Sequence, residues 1–386
     1  MLVIVAPGQG AQTPGFLAPW LELPGLRDLL ATWSDIVELD LIRYGTVADA
    51  EEIRDTAVAQ PLLVAAGLAA ADAIFGRVED AADVVQIAAG HSVGEITASV
   101  LAGVLTPAEA LTLVRERGRA MARAAAVSET GMTAIIGGDE AEVLTELRRH
   151  GLTPANMNGS GQIVAGGTLA QLAALAESPP PKARLRPLAV AGAFHTTHMS
   201  PAVEHLRGFS GEVNPGNPRT RLLSNADGAV VESGVEFHER LITQVSNPVR
   251  WDSCMATMSE LGVSAVIELP PAGTLVGIAR RALPGVETLA VKTPDDIGAA
   301  RALIATHATA AHTPEWRLIV APLAGTFHVN TEVKEIAAGD VVGSVTARRD
   351  EHPVTVPFPA RVIEWLAENG DPVAAGQPLI RLEVEG

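Results

Sequence analysis

Residues 84–95 read Val-Val-Gln-Ile-Ala-Ala-Gly-His-Ser-Val-Gly-Glu, and they constrain the fold more than any other stretch. An apolar run ends in Gly90-His91-Ser92-Val93-Gly94, and a helix-forming run from Glu95 to Leu101 follows at once. Strand, G-x-S-x-G turn and helix make a nucleophile elbow. The tight turn lifts the serine hydroxyl off the end of the strand, and flanking glycines let the chain bend without Cβ clashes. The helix behind supplies free N–H groups and a partial positive end that suit a developing oxyanion. A glycine-rich βα turn with an incidental serine would share the five residues. The strand before and the helix after are the context that favours Ser92 as a nucleophile.

Such an elbow belongs to a parallel α/β sheet, and the chain can build one. It has 386 residues, 47% of them hydrophobic, enough for two or three domains with a sizeable core. A net charge of −17 argues against nucleic-acid binding. The lone cysteine, Cys254, excludes an intramolecular disulfide and fits a reducing cytoplasm. The N-terminus enters the strand-like Leu2-Val3-Ile4-Val5-Ala6 with no basic region before it, so no signal peptide is expected. No apolar run is expected to span a bilayer, and no membrane partner is expected.

After that strand comes Pro7-Gly8-Gln9-Gly10-Ala11-Gln12, which lacks the Lys-Ser/Thr of a P-loop and the Rossmann spacing. It reads as a ligand-side loop at the carboxyl end of a central strand. Helical periodicity covers residues 26–37, 48–55 and 61–75. Thr106-Pro107 caps a helix running to about Ala125. On it Arg117 shares a row with Ala110, Leu113, Met121 and Ala124, where a guanidinium needs an anionic partner or a route to water. Residues 126–190 follow the order β-α-β-β-α-β, the ferredoxin-like arrangement, inserted into an α/β domain made of 1–125 and 191–308. A linker at 309–315 precedes a β-rich tail, 316–386. In the tail Pro322-Leu-Ala-Gly-Thr-Phe327 echoes Pro357-Phe-Pro-Ala-Arg-Val362, and Ala-Ala-Gly339 echoes Ala-Ala-Gly376. Two similar halves imply a small pseudo-symmetric β-sandwich or barrel.

A serine nucleophile needs a base, a group that orients the base, and an oxyanion hole. Among ten histidines, His195 stands at a strand-to-loop junction after Gly192-Ala193-Phe194, with His198 and His205 as neighbouring alternatives. No aspartate or glutamate stands out as the third member of a triad, so a backbone carbonyl could serve. No ligand spacing suggests a metal.

Taken together, Gly8-Gln-Gly-Ala-Gln12, Gly90-His-Ser-Val-Gly-Glu95, Arg117, Gly192-Ala-Phe-His195 and Asn247-Pro-Val-Arg-Trp251 resemble the malonyl-CoA:acyl carrier protein transacylase family over residues 1 to about 308. The resemblance implies an α/β-hydrolase-like domain with a ferredoxin-like insertion. It implies Ser92 as nucleophile, His195 as general base and acid, and a carbonyl near Asn247 orienting that histidine. The N–H groups of Gln9 and Val93 would form the oxyanion hole. Arg117 would bind the malonyl carboxylate, Asn156 to Gln162 would line the site, and Phe194 would favour malonyl over methylmalonyl. Malonyl-CoA and acyl carrier protein would be the partners, with no cofactor. Acyl carrier proteins are acidic, so docking calls for basic residues such as Lys182, Arg184 and Arg186, or Arg280 and Arg281. The family often has Gly-Pro-Gly where this chain has Pro270-Pro271-Ala272-Gly273.

The tail resembles biotinyl/lipoyl carrier domains, but the turn that would hold the attachment lysine reads Ala347-Arg-Arg-Asp-Glu-His352. Its only lysine, Lys334, lies in the other half. Neither biotin nor lipoate is expected there, and the tail reads as a degenerate docking module for an unknown partner. Three other readings stay open from the residues: a serine thioesterase or esterase, a methylmalonyl-selective acyltransferase, and a non-enzymatic scaffold.

Overall fold

The computed structural model describes residues 1–308, 316–330, 335–347 and 350–384. The chain forms two compact units, Met1–Ala310 and Ala311–Gly386. The expected linker, 309–315, lies outside the described residues.

Leu2–Ala6 is buried along its whole length because both faces of its sheet are covered. Leu2 and Ile4 point into a core shared with helices Thr56–Phe75 and Pro107–Ala125. Val3 and Val5 point the other way, toward helices Trp251–Glu260 and Thr274–Ala282. Across the sheet the strands run Glu287–Ala290, Ala265–Glu268, Leu2–Ala6, Ile87–Gly90, Arg221–Leu223 and Val230–Val231. All neighbours are parallel except the last pair, which is antiparallel.

Two helix expectations need correction. Residues 48–55 hold only the short 3-10 turn Glu52–Arg54. The Asp49 side chain accepts from the N–H groups of Glu51 and Glu52, an Asx turn that competes with helix propagation. The next helix starts at Thr56, not Pro61, with Asp55 capping the N–H of Ala57 at 2.7 Å. At 20 residues, Thr56–Phe75 is long and apolar enough to cross a bilayer, contrary to expectation. It is apolar all round because it is packed all round, with 83% of its apolar window buried inside the protein.

The second sheet of this unit runs Ala183–Pro187, Thr130–Gly137, Gln162–Thr168, Thr153–Gly159, all neighbours antiparallel. Helices Glu140–Arg149 and Leu169–Glu177 cover one face through Val143, Leu147 and Leu175. That is the ferredoxin-like strand order. Val249–Arg250 then adds a parallel edge to Thr153–Gly159, so a strand that follows the insertion extends its sheet.

The tail unit contains two four-stranded sheets. One runs Trp316–Val320, Pro378–Val384, Ala360–Trp365, Glu335–Ile336, and the other Asp350–Thr355, Val341–Ala347, Gly325–Val329, Pro372–Val373. Exchanging each strand of the first half for its counterpart in the second turns one sheet into the other. The internal echo in the sequence is this pseudo-two-fold. Gly339 and Gly376, the echoed turn residues, both take positive φ, 93° and 80°. Lys334, Arg348 and Arg349 lie outside the described residues.

Phe327 is fully buried in this unit and packs 6.2 Å, centroid to centroid, from Trp365. Phe327→Ala is expected to cost about 3–5 kcal/mol. Calorimetry should show a lowered transition for the tail unit and an unchanged one for Met1–Ala310.

Candidate active site

The elbow takes the shape its glycines allow. Ser92 sits at φ 53°, a strained conformation for a residue with a side chain. A Cβ on Gly90 would lie 2.0 Å from the carbonyl carbon of Gly94, and one on Gly94 would lie 2.1 Å from the oxygen of Ala6. Asn225, at the end of the neighbouring strand, braces the turn: its Oδ1 accepts from the Ser92 N–H at 2.8 Å and its Nδ2 donates to the Gly90 carbonyl at 2.8 Å.

Ser92 Oγ lies 2.7 Å from His195 Nε2, and His195 Nδ1 lies 2.8 Å from the carbonyl oxygen of Gln244. With Nδ1–H donating to the carbonyl, Nε2 is left to accept the serine proton. Burial, helped by the positive charge of Arg117, pushes the imidazole down to about 3, so it rests neutral. The orienting carbonyl is therefore that of Gln244. Asn247 instead donates its own backbone N–H to the same oxygen at 3.1 Å, and its side chain turns to the Thr243 carbonyl at 2.7 Å. The helix Gly234–Gln244 ends there, so its last carbonyl is free of helical bonding and can accept. His91 points away from Ser92, with Nε2 2.9 Å from Asn158 Oδ1 and its ring edge-on to Trp251. His205 pairs with Glu116 at the surface. Asp227 and Asp252, two of the carboxylates after His195 in the sequence, are engaged by Arg240 and Arg250.

Arg117 is 2% exposed. Its Nη1 donates to Gln60 Oε1 at 2.6 Å, and its Nη2 donates to Gln244 Oε1 at 2.7 Å and to Ser92 Oγ at 3.3 Å. Its Nε is buried with no partner among the described residues. Nε and Nη2 form one edge of the guanidinium, the fork that grips a carboxylate with two parallel bonds. Burial lowers Arg117 to about 10, partly offset by Glu95, so it stays charged at neutral pH.

Beside the dyad, a cleft of about 410 Å³ runs between the main sheet's loops and the inserted sheet. Gln9, Arg54, His91, Asn156 and Gln162 are among its lining residues, whereas Ser92, His195 and Arg117 are not. Asn156 and Gln162 thus border this cleft rather than the Ser92–His195–Arg117 cluster itself. Phe194, 5% exposed, packs into the main core and is not part of the lining. The backbone N–H groups of Gln9 and Val93 have no hydrogen-bond partner among the described residues. The Pro270–Gly273 loop leads into the helix Thr274–Ala282, whose first turn is held by the buried Glu268 carboxylate accepting from Gly273, Leu275 and Val276. Thr274 and Leu275 line the cleft.

The sequence reading missed the neutral residues that hold these groups: Gln60, Asn225 and Gln244. Glu95 appeared there only as the end of the elbow motif. Its carboxylate is 1% exposed and accepts from the Asn225 N–H and the Gln244 side-chain amide. A glutamate in the first turn of an otherwise uncharged elbow helix was the available signal.

Residues 3–311 match the acyl transferase domain family. A malonyl CoA-acyl carrier protein transacylase from Mycobacterium tuberculosis is 52% identical over 297 residues, 77% of this chain and 98% of its own. The crystal structure of MCAT from the same organism superimposes with a TM-score of 0.75 at 50% identity, over 78% of this chain and 99% of that one. A malonyl-transacylase in complex with its type II PKS acyl carrier protein superimposes with a TM-score of 0.72 at 29% identity, covering 78% of this chain and 99% of that one. The tail beyond residue 311 lies outside the family match. The chain belongs to the acyl transferase family and, within it, to the malonyl CoA-acyl carrier protein transacylases.

Proposed function

We propose that the protein moves a malonyl group from malonyl-CoA to the phosphopantetheine thiol of acyl carrier protein, supplying fatty-acid or polyketide synthesis in the cytoplasm. The observation that carries the reading is the contact of Arg117 Nη2 with Ser92 Oγ at 3.3 Å, a buried cation beside a serine already bonded to a neutral histidine. A plain esterase has no use for that cation.

In the proposed ping-pong cycle, Ser92 Oγ attacks the thioester carbonyl as His195 Nε2 takes its proton. The carbonyl oxygen gains charge and is received by the free N–H groups of Gln9 and Val93. The intermediate collapses, the C–S bond breaks, and the proton on Nε2 leaves with the coenzyme A sulfur. The pantetheine thiol then gives its proton to Nε2, its sulfur attacks the malonyl-serine ester, and Ser92 recovers the proton as the C–O bond breaks. Through both halves the malonyl carboxylate occupies the Nε/Nη2 edge of Arg117, which favours diacid acyl groups over acetyl. No carboxylate is needed behind His195, since the Gln244 carbonyl holds Nδ1–H.

Docking of the acidic carrier fits the rim of the cleft. Arg186 pairs in register with Ala134, and Arg184 with Ile136. Those two residues pair in turn with Val164 and Gln162. Directly opposed residues share a face, so both arginines lie on the cleft-facing side of the inserted sheet, exposed at its edge. Arg280 is tied to Thr288 and is the weaker candidate. The tail is read as a carrier-like module without an attachment lysine, serving a partner that is unidentified.

Intact-protein mass spectrometry after mixing with malonyl-CoA should show a malonyl adduct that Ser92→Ala abolishes. An undiminished adduct in the variant rejects the nucleophile. Arg117→Ala should lose preference for malonyl-CoA over acetyl-CoA by at least 10²-fold in kcat/KM, about the size of a lost charge-assisted contact of 3 kcal/mol. A base must be neutral, and a depressed pKa keeps His195 neutral far into acid. The kcat/KM profile should therefore not fall near pH 6.5, where a free imidazole titrates, but only toward about 3.

A further inference from the structure

Arg117 is the only arginine or lysine among the buried residues described, and none of its hydrogen-bond acceptors is charged. Among the described residues the buried carboxylates are Glu95 and Glu268, and Glu268 is consumed by the start of the helix Thr274–Ala282. Glu95 lies one side chain from Arg117. The Gln244 amide spans the gap: its Oε1 accepts from Arg117 Nη2 and its Nε2 donates to Glu95 Oε2. An amide has one donor end and one acceptor end, so this bridge joins a cation to an anion only in the orientation found. Glu95 Oε1 is held by the Asn225 N–H, and Asn225 Oδ1 holds the Ser92 N–H. One network thus links the carboxylate, the guanidinium and the nucleophile.

We propose that Glu95 is the resident countercharge of Arg117, that the malonyl carboxylate displaces it from that role, and that malonyl binding is therefore coupled to uptake of one proton by Glu95. This rests on Arg117 as the site of the malonyl carboxylate. In the free protein above about pH 8, where Glu95 is ionised, the guanidinium and Glu95 offset each other across Gln244. When a second carboxylate sits directly on Arg117, two anions share one cation in a site closed to water, and one must be neutralised. The substrate carboxylate touches the guanidinium, so the proton goes to the more distant acid. The balance is simple: Glu95 carboxylate plus a solvent proton gives the carboxylic acid, with no other group altered.

Burial already raises Glu95 to about 8, which brings the exchange within reach of ordinary pH. The other titratable groups around it do not compete. Burial holds the Cys254 thiol protonated and the His195 and His91 imidazoles neutral. Arg240 is paired with Asp227 and Glu236.

Ser92→Ala, which can bind but not be acylated, allows a direct test. Calorimetric titration with malonyl-CoA and with acetyl-CoA, in buffers of different ionisation enthalpy, counts the protons taken up. At about pH 9 the free carboxylate is ionised, and malonyl-CoA should take up close to one proton more than acetyl-CoA. At about pH 6.5 Glu95 is already protonated and the excess should vanish. Affinity for malonyl-CoA should fall about tenfold per pH unit above the range of Glu95, and that of acetyl-CoA should not. Adding Glu95→Gln should remove both the excess uptake and the slope. Selective malonyl-CoA binding with no excess uptake, or uptake that survives Glu95→Gln, overturns the proposal and leaves Arg117 as the carboxylate site. Equal affinity for the two esters rejects Arg117 and the proposal together. If the double variant fails to fold, infrared difference spectra of Ser92→Ala at about pH 9 decide: a protonated carboxyl band gained with malonyl-CoA supports the proposal, and its absence overturns it.

Discussion

The structure is built around one guanidinium held out of water. Burying Arg117 without compensation would cost several kcal/mol, and among the described residues no carboxylate touches it. Compensation is spread over neutral amides, Gln60 and Gln244, with the Glu95 carboxyl one step removed, an anion only above about pH 8. An ion pair made directly with Arg117 would be more stable and less useful, because a substrate carboxylate would have to break it. On the Nε/Nη2 edge, Nε has no partner among the described residues, and Nη2 is shared by the Gln244 amide and Ser92. The same charge helps keep His195 neutral, so in the proposed mechanism one residue would serve both recognition of the acyl group and readiness of the base.

The elbow supplies the other constraint. Ser92 stays in a strained conformation because everything around it is fixed: Gly90 and Gly94 allow backbone to touch backbone, and Asn225 pins both the Ser92 N–H and the Gly90 carbonyl. Gln244 is the second hub. Its carbonyl orients His195, and its side chain joins Arg117 to Glu95 and donates to the Ser92 carbonyl at 3.2 Å. Main chain and side chain of one residue therefore set both halves of the dyad. That arrangement replaces the acid of a triad, since a carbonyl orients an imidazole without adding a negative charge beside the incoming malonate.

Much of this was legible in order along the chain. The elbow, the capped helix carrying Arg117, the β-α-β-β-α-β insertion and the duplicated tail are local or periodic patterns, and each became the expected element. Asn156 and Gln162 line the cleft, and Ser92, His195 and Arg117 meet beside it. Legibility failed where local competition decides, as at residues 48–55, where Asp49 forms a turn in place of a helix. It failed also for Thr56–Phe75, whose apolarity reflects packing on all sides.

The amino-acid sequence by itself determined the kinds of group present and part of their local geometry: a serine on a strained turn and a cation on an apolar helix row, whereas His195, expected at a strand end, stands in a turn eight residues beyond the strand Ala183–Pro187. Period, glycine placement and caps are short-range properties, and a linear reading can see them. Only the tertiary structure decided which neutral atoms complete the site. The carbonyl behind His195 is that of Gln244, three residues before Asn247, where the helix ends and the oxygen accepts from the Asn247 N–H and the imidazole together. Gln60, Asn225, Gln244 and Glu95 are brought together from four separate elements, and amide side chains have no periodic signature. Their role comes from the desolvation of a charge that the linear chain does not display, and that pressure exists only once the sheet and helices have closed around Arg117.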